Sequence, residues 1–119
     1  MAENVLRCYE LLARLTKMKT RQLMLIEHTM PPVVEIDHQS GAVYVRFTPR
    51  GAKVSKTVVR CEWPHVAVDL DADGKVIGVE AIGIDEMTIS KVLQHAQIKA
   101  KDSAIRSARY IKTSHAVHA

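Results

Sequence analysis

The chain has 119 residues, of which 25% are charged, 47% hydrophobic and 4% aromatic, with a formal net charge of +4. A chain of this length forms one domain that buries roughly two thirds of the surface exposed when unfolded, and its balance excludes a disordered chain, a collagen-like chain and a disulfide-built miniprotein. Charge is uneven: residues 1–30 carry five Lys/Arg against three Asp/Glu, residues 31–90 six against nine, and residues 91–119 six against one, so a mildly acidic middle precedes a basic C-terminal segment.

Residues 1–30 read as an N-terminal helical segment. Val5, Tyr9, Leu12 and Leu15 recur at spacings of three and four, which predicts an amphipathic helix from Asn4 to about Lys17. Arg21 to Met30 fits either a continued helix or a short strand, and Pro31-Pro32 ends any helix by Met30. Glu3, Arg7, Glu10 and Arg14 interrupt the apolar core that a signal peptide needs, and no apolar run approaches the length of a membrane span. A cytoplasmic address and no membrane contact are expected.

The period then changes to two. Val34 and Ile36 alternate with Glu35 and Asp37, Val43, Val45 and Phe47 with Tyr44 and Arg46, and Val66, Val68 and Leu70 with Asp69 and Asp71. Gln39-Ser40-Gly41, Pro49-Arg50-Gly51, Trp63-Pro64 and Asp73-Gly74 punctuate the runs. Strands are predicted at 33–37, 42–48, 54–61, 65–71 and 75–82, and the short spacers predict an antiparallel meander over residues 33–84. Residues 85–112 read as helical again. Asp85 is the expected N-cap, with Ile89, Val92, Leu93 and Ala96 as the apolar stripe, and a second helix is expected from Asp102 to Lys112. Residues 113–119 form a tail. The expected fold class is therefore α+β: one domain with helices at the two ends of a five-strand antiparallel sheet.

Asp69-Leu70-Asp71-Ala72-Asp73-Gly74, with Glu80 beyond it, satisfies the spacing of an EF-hand calcium loop. Three carboxylates and a distal Glu converge on one ion only when the loop wraps around it, and an EF-hand achieves this between helices. Here the flanks are β-rich and Asp73-Gly74 is a favoured two-residue hairpin turn, so Asp69, Asp71, Asp73 and Glu80 read as solvated acids of a hairpin. Six histidines include no H-x-H or H-x-x-x-H pair, and Cys8 and Cys61 form no C-x-x-C, so no zinc site and no cofactor are expected, and the cysteines read as buried free thiols. Cys61 with His65 is the one thiol–imidazole pair close in sequence. Trp63, the only Trp, reads as a turn-packing residue or a partner contact.

Two of these segments resemble a known family. Asp69-Leu70-Asp71-Ala72-Asp73-Gly74-Lys75-Val76-Ile77-Gly78-Val79-Glu80-Ala81-Ile82 is similar to the DLDxDGxIVGIEIL signature of domain of unknown function 2283, the YuzE-like family of small bacterial proteins. Upstream, Asp37-His38-Gln39-Ser40-Gly41-Ala42-Val43-Tyr44-Val45-Arg46-Phe47 resembles the YDxxxDALYIRL segment of the same family. The resemblance spans residues 33 to about 84. Ile36 stands where the family usually has Tyr, and Gly41 where it usually has a second Asp. The resemblance implies a β-rich fold and a bacterial or phage-like origin, and it carries over no catalytic residue.

Lys99, Lys101, Arg106, Arg109 and Lys112 are the candidate phosphate-contacting residues, with Arg106 and Arg109 expected on one helix face. Low aromatic content offers no stacking platform for bases. The leading expectation is a non-enzymatic protein-interaction module that self-associates as a homodimer and neutralises or regulates a small partner protein. The alternative is a nucleic-acid-binding accessory protein using the basic segment.

Overall fold

The structure, a computed structural model, describes residues 24–26 and 30–113. The helix expected from Asn4 to Lys17 lies outside the described residues, as does 114–119 of the tail. The ambiguous stretch before Pro31 contributes a two-residue strand, β1 (Met24–Leu25).

All five predicted strands are present: β2 (Val33–Asp37), β3 (Ala42–Arg46), β4 (Lys56–Cys61), β5 (His65–Leu70) and β6 (Val76–Ile82). Each follows from alternation of valines and alanines with polar residues. Val34, Val43, Val45, Val66, Val68, Val79 and Ala81 lie on one face and are fully buried, each valine contributing about 1.5–3 kcal/mol by leaving water. Against them pack Phe47, Ile84 and helix α1 (Ile89–Ala96), through Ile89, Val92, Leu93 and Ala96.

Strand order departs from the expected meander. The main sheet runs β4-β5-β6-β3-β2-β8, where β8 is Arg109–Lys112. β4, β5 and β6 do form a meander and β2–β3 a hairpin, but β3 pairs with β6 and not with β4. The segment between β3 and β4 is long enough to cross from the middle of the sheet to its edge. Joining the hairpin to β6 buries Val43 and Val45 between Ala81 and Val79 on one side and β2 on the other.

The C-terminal third differs most from the sequence pattern. Asp85 is not the N-cap. Thr88 takes that place in extended backbone, and its hydroxyl accepts from the Lys91 N–H at 3.3 Å. The helix expected over Asp102–Lys112 shrinks to α2 (Asp102–Arg106), which buries no residue. Ile105 and Ala108 are too little apolar surface to hold a three-turn helix on the sheet, whereas β2 would otherwise leave one row of backbone groups unpaired. Arg109–Lys112 satisfies that row as a parallel strand, with Arg109 N–H donating to Pro32 O at 2.9 Å and Thr113 N–H to Ile36 O at 2.8 Å. A further strand, β7 (Ile98–Lys99), pairs parallel with β1 and places Ile26 and Ile98 in the core.

Candidate functional site

Period-two alternation leaves a second sheet face, opposite α1, and the register decides what meets there. Glu35, Tyr44, Glu80 and Ala67 form one row across β2, β3, β6 and β5, and Arg46, Gly78, Asp69 and Thr57 form the next. Glu35 and Tyr44 are only 4% and 7% exposed. Buried polar groups need partners, and each has one here. Glu35 Oε2 receives Arg50 Nη2 at 2.6 Å and lies 3.4 Å from Arg46 Nη2. The Tyr44 hydroxyl donates to Asp69 Oδ2 at 2.9 Å, and Thr57 Oγ1 donates to Asp69 Oδ1 at 2.7 Å. His65 Nε2 stands 3.6 Å from Glu80 Oε1.

The Tyr44–Asp69 bond runs diagonally over Gly78. A Cβ placed on Gly78 would overlap the phenol, standing 2.5 Å from Tyr44 Cζ. Glycine is required here for space, since its backbone is not in the left-handed region. Burial, followed by the charge of Asp69 and the hydrogen bond to it, pushes the Tyr44 hydroxyl well above its ordinary value of 10.0. A phenol held protonated in this way is the reverse of an activated nucleophile or base. The face carries two ties: the ion pairs of Glu35 with Arg46 and Arg50 link β2 to β3 and the loop after it, and the hydrogen bonds of Asp69 with Tyr44 and Thr57 link β3, β5 and β4.

The calcium-type motif is dispersed by the turn. Asp71 N–H donates to Lys75 O, enclosing the three-residue loop Ala72-Asp73-Gly74, with Gly74 at φ 81°. This corrects the expected two-residue Asp73-Gly74 turn, and a left-handed glycine ending a three-residue loop is the next commonest hairpin. Asp71 Oδ1 is occupied by the N–H groups of Asp73 and Lys75, each at 2.9 Å. Glu80 pairs with Ala67, while Asp69 is engaged by Tyr44 and Thr57. Among the described residues, no group of three or more His, Cys, Asp or Glu side chains could hold a metal ion. A pocket of about 380 Å³ lies beside the loop, lined by Thr48, Lys53, Ser55, Asp71, Asp73 and Ile77.

Cys61 is 8% exposed and disulfide-bonded, which corrects the expectation of a buried free thiol at this position. Trp63 is 61% exposed and borders Gly83, where a Cβ would stand 2.9 Å from its ring; it follows β4 in the turn to β5, and its bond to Pro64 is cis. The basic residues are scattered over three consecutive elements. Lys99 is on β7, Lys101 at the N-cap of α2, Arg106 at its last position, and Arg109 and Lys112 on β8. All five are exposed, but Arg106 and Arg109 do not share a helix face, because the helix ends between them.

The exposed apolar side chains have a simpler distribution. Among the described residues, the large hydrophobics open to solvent are Val54, Val59, Trp63, Tyr110 and Ile111. The first three lie along β4 and its flanks, and the last two lie on β8. These are the two outer strands of the main sheet. Tyr110 is tied down at one end, its hydroxyl accepting the Ile89 N–H at 3.0 Å. No helix among the described residues is long and apolar enough to cross a membrane.

Comparison with protein-family models, curated proteins and solved structures finds no match for the chain. Sequence reading missed the ion pairs of Glu35 with Arg46 and Arg50 and the bond from Tyr44 to Asp69 over Gly78. The available signal was a Glu, a Tyr and a Glu at polar positions of three alternating strands, with one glycine among apolar residues in 76–82.

Proposed function

We infer that the protein is a non-enzymatic interaction module that meets a protein partner along an open edge of its main sheet. The observation that carries this is that, among the described residues, the five exposed large hydrophobics all lie on the outer strands or their flanks. Folded chains commonly protect sheet edges with charge or cover, and apolar side chains along an edge favour a pairing partner. The polar face supports the same reading, because its tyrosine is held protonated and Asp69 has a hydroxyl donor on each oxygen. Neutralising or regulating a small protein fits such an edge. The resemblance to domain of unknown function 2283 is compatible with it, since the two resembling segments fall on the β2–β3 and β5–β6 hairpins.

The test is a photo-crosslinking residue placed at Val59 in the full chain, in cells that express it, with Gln94 on the exposed side of α1 as the control position. A discrete adduct from position 59 and none from position 94 is expected. Equal, diffuse labelling at both positions would overturn the edge reading.

A further inference from the structure

The residues of β8 define what fits beside them, and we propose that this strand takes, as an added strand, an extended segment of another protein with the sequence acid–apolar–apolar–acid. This deepens the edge reading above and rests on it. β8 is an outer strand of the main sheet, and its neighbour among the described residues is β2. Each residue of an extended strand turns its N–H and C=O to the same side, alternating along the chain. The N–H groups of Arg109 and Thr113 donate to Pro32 O and Ile36 O, so the odd-numbered residues face β2. The backbone groups of Tyr110 and Lys112 therefore face outward, where a further strand can pair with them.

The side chains specify which strand. Tyr110 is level with Val34 and Lys112 with Ile36, on the α1 side of the sheet, while Arg109 is level with Val33 and Ile111 with Glu35, on the opposite side. Each face of this edge thus offers one cation and one apolar residue, and all four are exposed. Cross-strand neighbours share a face, so a strand laid alongside needs acids level with Arg109 and Lys112 and apolar residues level with Tyr110 and Ile111. That order reads the same in both directions, so parallel and antiparallel addition ask for one motif.

Two observations favour such an occupant. Neither Arg109 nor Lys112 has an ion-pair partner among the described residues. The Tyr110 ring is held in place by the bond its hydroxyl accepts from the Ile89 N–H at 3.0 Å, so this apolar platform is set before anything binds. A second copy of this chain does not supply the motif, because no two of its 13 acidic residues stand three positions apart. The occupant is a different protein.

Fluorescence anisotropy of the purified full chain with labelled Thr-Glu-Val-Val-Glu-Thr tests this, beside Thr-Lys-Val-Val-Lys-Thr, the acidic peptide N-methylated at both valines, and duplex DNA. Saturable binding of the acidic peptide is expected. The lysine and N-methylated peptides should bind at least about tenfold more weakly, one lacking the opposite charges and the other the backbone bonds. Arg109→Glu with Lys112→Glu should reverse the preference between acidic and lysine peptides. Circular dichroism checks that this variant folds; if it does not, the peptide comparison on the wild type decides. No binding of the acidic peptide, or equal binding of its N-methylated form, overturns the proposal. So does salt-steep displacement of the peptide by DNA, which makes the edge a phosphate site, or a chain that sediments as a dimer and excludes the peptide, which makes the occupant a second copy. A photo-crosslinking residue at position 111 in cells separates this proposal from the edge reading. A discrete adduct from position 111 or 59 without peptide binding ends the proposal and leaves the edge reading standing; no adduct from either position and no peptide binding ends both.

Discussion

The Tyr44 hydroxyl donates to Asp69 at 2.9 Å by passing over Gly78, which lies between them on the central strand. Three strands are thereby tied on the face away from the core. The contact has two independent requirements, a donor on β3 and an absent side chain on β6. Gly78→Ala should cost about 1–3 kcal/mol, because the added methyl overpacks against the ring. Tyr44→Phe should cost about 1.5 kcal/mol through loss of a hydrogen bond to a charged acceptor. In combination, Gly78→Ala with Tyr44→Ala should be less destabilising than the sum of the single changes, as contacting residues couple. Urea denaturation midpoints measure all of these, and strict additivity would show that the phenol does not occupy this space.

Glu35 carries the second tie, and its two arginines should behave differently. The Arg50 side chain is 69% exposed, so Arg50→Ala should change stability by less than about 1 kcal/mol despite its 2.6 Å contact. Arg46 is 14% exposed and would be left without its acid in Glu35→Ala, at a cost of about 3 kcal/mol. Equal losses for Arg50→Ala and Glu35→Ala, read by thermal and urea unfolding, would contradict this assignment.

Stability should fall with mild acid because of His95. This residue is fully buried in the last turn of α1, and burial, reinforced by the charge of Lys91, holds its imidazole below the ordinary value of 6.5 against the opposing pull of Asp85. The helix C-terminus would favour the imidazolium, so burial is the stronger effect here. A lowered folded-state value means that the unfolded chain takes up the proton first. The contribution is complete above pH 6.5 and is lost as pH falls below it toward the folded-state value, with a slope from this one group of at most about 1.4 kcal/mol per pH unit. Unfolding free energies between pH 8 and pH 5, roughly the range in which histidines titrate, should show this slope in the wild type and its reduction in His95→Gln.

The basic C-terminal segment separates the two functional readings. If Lys99, Lys101, Arg106, Arg109 and Lys112 met phosphates together, affinity for duplex DNA would fall with salt at a log–log slope of roughly −4 to −5. Distribution of these residues over β7, α2 and β8 argues for the opposite result. Binding at physiological salt should be negligible, and Arg106→Ala with Arg109→Ala should alter stability by less than about 0.5 kcal/mol each. Sub-micromolar, salt-steep binding abolished by that pair of changes would move the function to nucleic acid.

Spacing alone located the five strands β2 to β6, because side-chain alternation is a property of extended backbone and shows in the order of Val34, Val43, Val45, Val66, Val68 and Val79. Spacing also located the apolar stripe of α1 at Ile89, Val92, Leu93 and Ala96. Which of Asp85 and Thr88 caps that helix was not legible, since both residue types cap, Asp the more strongly, and only the path of 85–87 places Thr88 there. Neighbours in the sheet were decided by tertiary structure. β3 lies beside β6, and Arg109–Lys112 leaves a helical pattern to become β8, because unpaired backbone on β6 and β2 had to be satisfied by strands distant in sequence. The Glu35 ion pairs and the Tyr44–Asp69 bond belong to that level as well. Local pattern assigns a side chain to a face, but only strand order and register bring Tyr44 within reach of an aspartate 25 residues away, across a glycine that leaves room for the bond.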